Sequence, residues 1–114
     1  MKKIISLHHL EKITDGNEAI LKELLTVFIK EGSIQIQKLQ TYLSDGNLQE
    51  LKNVAHKIKS SLKLIGLDAY RNLAEEIEKE AEKDLQKTKQ QALELVTVYT
   101  HALTELKNKL EELH

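Results

Sequence analysis

The chain has 114 residues, 40% of them hydrophobic and 31% charged, a formal net charge of −1, and neither cysteine nor proline. That length suits one domain, residues 1–114, around a single core, and the missing cysteines exclude disulfides, thiolate nucleophiles and thiolate metal sites. The near-zero charge supplies no global field toward nucleic acid or a membrane surface.

No hydrophobic run approaches membrane-spanning length. The start, Met-Lys-Lys-Ile-Ile-Ser-Leu-His-His, lacks a long apolar segment and a small-residue cleavage site. No signal peptide is therefore expected, and the cytoplasm is the expected location. Alanine, leucine, lysine, glutamate and glutamine dominate, and these are strong helix formers. With no strand-length alternation to compete, the fold is expected to be all-α.

A short helix is predicted from about Leu7 to Ile13, with Ser6 as cap. Asp15-Gly16-Asn17-Glu18 breaks it; Asp15 with Glu18 has capping-box spacing, and Asn17 is an equally good cap. A long helix follows to Tyr42 or Leu43, with a stripe of Leu21, Leu24, Leu25, Phe28, Ile36, Leu39 and Leu43. Gly32-Ser33 is a place where it could bend. A thinner row, Ile20, Val27 and Ile34, repeats every seven residues off that stripe. The default is that a neighbouring helix covers this row; the sharper alternative is an exposed strip where a partner docks.

Ser44-Asp45-Gly46-Asn47 reads as a turn. The next helix runs from about Leu48 to Leu64 or Ile65, and Gly66 sits where a C-terminal capping glycine belongs. Asp68 is the expected cap of a helix over Ala69–Glu82, apolar at Tyr70, Leu73, Ala74, Ile77 and Ala81. Its acidic and basic side, Glu75, Glu76, Glu78, Lys79, Glu80 and Lys83, reads as a solvated face. Asp84 is the candidate cap of a last helix carrying Ala92, Val96, Tyr99, Leu103, Leu106, Leu110 and Leu113. Short connections favour antiparallel neighbours, hence an antiparallel up-and-down four-helix bundle with a short additional N-terminal helix.

Several chemistries find no support. The four glycines are scattered, so no phosphate-cradling loop exists. A carboxylate-bridged dimetal bundle needs two Glu-x-x-His pairs, and Glu111-Glu112-Leu113-His114 is the single fit. No metal site or cofactor is expected. His8-His9 reads as surface or capping, and His101 as structural or surface.

His56 stands apart. At about 100° per residue, Lys59, Ser60 and Lys63 fall within roughly 60° of it, and Lys52 joins one turn earlier, while Val54, Ile58 and Ile65 take the opposite face. A neutral imidazole, with unperturbed pKa near 6.5, is a competent nucleophile. Lys59 and Lys63 could stabilise phosphoryl oxygens on its ring, and Ser60 is small enough to let another protein approach. No carboxylate shares this helical face, so base catalysis of the triad type is not expected.

The run Ala55-His56-Lys57-Ile58-Lys59-Ser60-Ser61-Leu62-Lys63-Leu64-Ile65-Gly66-Leu67 resembles the signature of histidine-containing phosphotransfer (HPt) domains. Phe28, the Asp45-Gly46 turn and Leu73 to Ile77 extend the resemblance over nearly the whole chain. It implies a four-helix bundle acting as a phosphorelay intermediate: His56 as phosphoacceptor, Lys59 stabilising the phosphoryl group, and Lys52, Ser60 and Lys63 with Ile20, Val27 and Ile34 as docking surface. The implied partners are response-regulator receiver domains, which bring the Mg²⁺, and a hybrid sensor histidine kinase; the domain is expected to be a monomer. Glycine is usual in the family where Ser60 stands, and a small residue where Lys63 stands, which bears on partner choice. The alternative is a helical adaptor that binds a receiver or kinase without phosphotransfer.

Overall fold

The structure is a computed structural model that describes residues 4–113. Met1, Lys2 and Lys3, and His114 of the Glu-x-x-His pattern, fall outside these. Five helices make up the described chain: α1 (His8–Ile13), α2 (Glu18–Asp45), α3 (Leu48–Leu64), α4 (Asp68–Glu80) and α5 (Leu85–Glu112). The protein is all-α and forms a helical bundle. Contacts run α2–α3, α3–α4, α4–α5 and α5–α2, closing a ring of four helices.

Local chemistry sets the ends of these helices. Asn17 caps α2 by accepting from the Ile20 amide at 3.1 Å, so Asp15 is left for another task. It takes a left-handed conformation (φ 51°) that ends α1, a role Asp tolerates better than most residues. Asp84 caps α5 through the Lys87 amide at 3.0 Å, as expected. Asp68, by contrast, does not cap α4. It lies within the first turn, where its charge faces the positive end of the helix, and Leu67 takes the cap position without a side-chain bond. The reason lies one residue back. Gly66 and Leu67 close α3 by donating to Lys63 O and Leu62 O at 3.3 and 2.8 Å, and Leu67 and Leu62 are both buried. That closure leaves no spare residue before α4.

The core draws on every helix: Leu10 from α1, Leu25 and Leu39 from α2, Leu51, Ile58 and Leu62 from α3, Ile77 from α4, and Leu95, Tyr99 and Leu106 from α5. Gly32 does not interrupt α2, which is continuous. It is buried where α2 meets α5; a Cβ there would lie 2.7 Å from Leu103 Cδ2 and 3.3 Å from the Tyr99 hydroxyl. Glycine at this point permits close approach of the two helices. Tyr99 settles its buried hydroxyl by donating to Gln35 Oε1 at 3.1 Å.

Ile20, Val27 and Ile34 are exposed, at 45%, 56% and 41%, and the default that a neighbour covers them is corrected. α1 is the one spare element, and Leu10 draws it into the core rather than over this outer face of α2.

Gly66 and Gly46 both hold left-handed conformations, φ 78° and 71°, but a Cβ at Gly46 meets nothing within 4 Å. At Gly66 it would sit 2.6 Å from Ser6 Cβ and 2.9 Å from Ser6 N. Gly46→Ala should cost about 1 kcal/mol from backbone conformation alone, and Gly66→Ala about 2 kcal/mol or more. Urea unfolding of the two variants checks this, and equal losses would contradict it.

Candidate functional site

α3 buries Leu51, Val54, Ala55, Ile58 and Leu62, and this fixes which face it turns outward. His56 is on that face, its side chain 66% exposed. Lys59, Ser60 and Lys63 stand beside it, and all four line a surface cavity of about 420 Å³. The grouping expected from helical spacing is therefore present in three dimensions. Lys52 does not line the cavity; it pairs with Glu82, in the turn just after α4, at 3.4 Å. Nor do Ile20, Val27 and Ile34, which lie on α2.

α4 contributes what helical spacing on α3 could not supply. Glu78 Oε1 lies 2.6 Å from His56 Nδ1, and Oε2 lies 2.7 Å from Lys59 Nζ. The Lys59 contact is an ion pair at close range rather than an aligned hydrogen bond, and Oε2 is itself buried. The expectation of a wholly solvated acidic face on α4 is thus corrected at Glu78. His56–Glu78 and Lys52–Glu82 explain the placement: the members of each pair are equally far from Leu67, so α4 folds back along α3 from that turn. Arg71 of α4 and His9 of α1 also line the cavity; Arg71 was not singled out by sequence, and His9 was read as surface or capping.

An ionised carboxylate can accept a hydrogen bond but not donate one. The ring nitrogen of His56 that faces Glu78 therefore carries the proton when the imidazole is neutral, which leaves the lone pair on Nε2. Nε2 is the free nitrogen of an exposed ring, beside three cationic side chains: Lys59, Lys63 and Arg71. That is the arrangement of a nucleophile aimed at an electrophile bearing negative oxygens.

Glu78 is held below the usual carboxylate range, chiefly by the Lys59 ammonium and then by the His56 ring, with burial opposing both. A carboxyl lowered on folding stabilises the fold above its unfolded pKa, and that contribution disappears as pH falls through the native value. Lys59→Met should therefore raise the Glu78 titration midpoint further than His56→Gln does, as followed by carboxyl carbon NMR. A larger rise in His56→Gln would reverse the assigned order of causes.

Among the described residues no group of three or more histidines, cysteines or acids is placed to hold a metal ion, and no helix is long and apolar enough to cross a membrane. Compared with known proteins, the chain matches the Hpt domain family model over residues 23–114. No curated protein and no solved structure matches it. The family match spans nearly all of α2 and the whole of α3, α4 and α5, and so contains His56, Lys59 and Glu78. The chain belongs to the Hpt domain family, the histidine phosphotransfer domains of two-component phosphorelays.

Proposed function

We propose that His56 is the phosphoacceptor of a phosphorelay intermediate, which takes a phosphoryl group from a receiver-domain aspartyl phosphate and passes it to another receiver aspartate. The observation that carries this reading is the Glu78 bond to Nδ1, which leaves Nε2 free on the exposed side of the ring. In the forward step the Nε2 lone pair attacks phosphorus, an Nε2–P bond forms, and the P–O bond breaks to release the aspartate carboxylate. The proton stays on Nδ1. The ring becomes an imidazolium, and the Glu78 carboxylate beside it offsets the new charge. The return step reverses these changes on a second receiver.

Lys59 serves twice in this scheme. Its side chain is only 19% exposed and is fixed by Glu78, so its charge stands at a set place beside the ring before any phosphoryl group arrives. A charge already in position needs no reorganisation during transfer. Ser60 and Lys63 form the docking rim around the ring. Lys52, one turn earlier, and the strip of Ile20, Val27 and Ile34 extend the surface to be read by a partner. The receiver supplies the Mg²⁺ and the aspartate, and the upstream donor is a hybrid sensor histidine kinase. The chain acts as a monomeric single domain in the cytoplasm.

Incubation with a phosphorylated receiver tests the scheme. His56→Gln should take up no label, and Lys59→Ala should transfer roughly tenfold or more slowly while its helical circular dichroism is unchanged. Labelling of His56→Gln at the wild-type level would refute the proposal.

A further inference from the structure

Residues 4–22 precede the segment matched by the family model, yet they reach the His56 cavity. Three contacts set their path. The Glu105 carboxylate of α5 accepts from the Ile4 amide at 3.0 Å. The Ser6 amide donates to Ile65 O at the end of α3 at 2.8 Å, crossing the space that Gly66 leaves open. Leu10, 2% exposed, is locked into the core. His9, next to Leu10, is thereby held on the cavity wall.

The cavity has an unbalanced charge. Lys59 and Lys63 come from α3, Arg71 from α4 and His9 from α1, and none of the lining residues is acidic. Of the nearby acids, Glu78 is engaged by Lys59 and His56, and Glu75, which also feels the charges of Lys59 and Arg71, is paired with Lys79. Among the described residues, Lys63, Arg71 and His9 form no ion pair. Cations that outnumber the acids around one depression raise the local concentration of anions. A guanidinium, an ammonium and an imidazole N–H converging from three helices suit a compact oxyanion with several acceptor oxygens.

We infer that this cavity is a binding site for a phosphate dianion, and that His9, from outside the family-matched segment, is one of its ligand-binding groups with Arg71 and Lys63. For a phosphoryl group carried on His56 the inference rests on the proposed phosphotransfer; the same chemistry fits free inorganic phosphate. His9 donates a hydrogen bond to a phosphate oxygen and forms no covalent bond.

Histidine side-chain NMR tests this on the full chain. Inorganic phosphate should move the His9 ring resonances saturably in wild type and in His56→Gln, beyond the effect of chloride at equal ionic strength. His9→Ala and Arg71→Ala should each weaken binding roughly tenfold, the loss of about one charge-assisted hydrogen bond. Phosphoramidate supplies the second arm: a His9 shift in labelled wild type that is missing from treated His56→Gln assigns the covalent source. If neither probe moves His9 beyond the chloride control, the site is overturned, and label on His56 in the same sample leaves the phosphotransfer reading standing. A phosphate response without any label on His56 supports the site and counts against that reading.

Discussion

Glu78 is the constraint on which the site's geometry depends. Its carboxylate reaches from α4 to two groups on α3, the Nδ1 edge of His56 and the ammonium of Lys59. One contact selects the tautomer and orientation of the ring; the other draws a long, flexible lysine into a fixed, mostly covered position. Both require the α3–α4 register to be right. A one-residue slip would rotate Glu78 by about 100° around α4 and carry it away from both partners. Register is set in turn by the three-residue connection, where Gly66 accepts a left-handed conformation and Leu67 packs with Leu62. A backbone feature ten residues from His56 therefore governs the placement of the imidazole's partner.

Much of this was legible in the sequence wherever the information was local. Asn17, Asn47 and Asp84 act as caps because each needs nothing beyond the next turn of its own helix. The outward face of α3 could be read from its apolar positions, and with it the grouping of His56, Lys59, Ser60 and Lys63. Glu78 was not legible in the same way. Within α4 it is one of several acids on a charged side, and only the fold-back about Leu67 separates it from Glu75 or Glu76. Asp68 was misread because the closure of α3 competes with capping of α4 in a connection too short for both. His9 was hidden for a third reason: its place depends on Glu105, nearly a hundred residues later in the chain.

Ion pairing divides the cations around the histidine into two groups. Lys59 is tied to α4 by Glu78, and Lys52 to the turn that follows it by Glu82. Lys63 is exposed, and Arg71 is also exposed on the opposite wall. Fixed charge lowers a barrier, since it is oriented before reaction. Exposed charge mainly governs how fast and in which orientation a partner arrives. On this division the charge of Lys59 is fixed before any reaction, whereas that of Lys63 is free to move. Ser60, exposed on the rim, is the smallest side chain lining the cavity beside the ring.

The exposed apolar strip on α2 has a different physical character. Its members lie seven residues apart, about 10 Å along the helix, so they form separate contact points rather than a continuous greasy patch. Charged residues stand between them, including Glu23, Lys30 and Glu31. Such a surface gains little from desolvation until a partner matches its spacing, and mismatched partners leave the intervening charges poorly solvated. Spaced apolar points among charges therefore favour discrimination over tight binding.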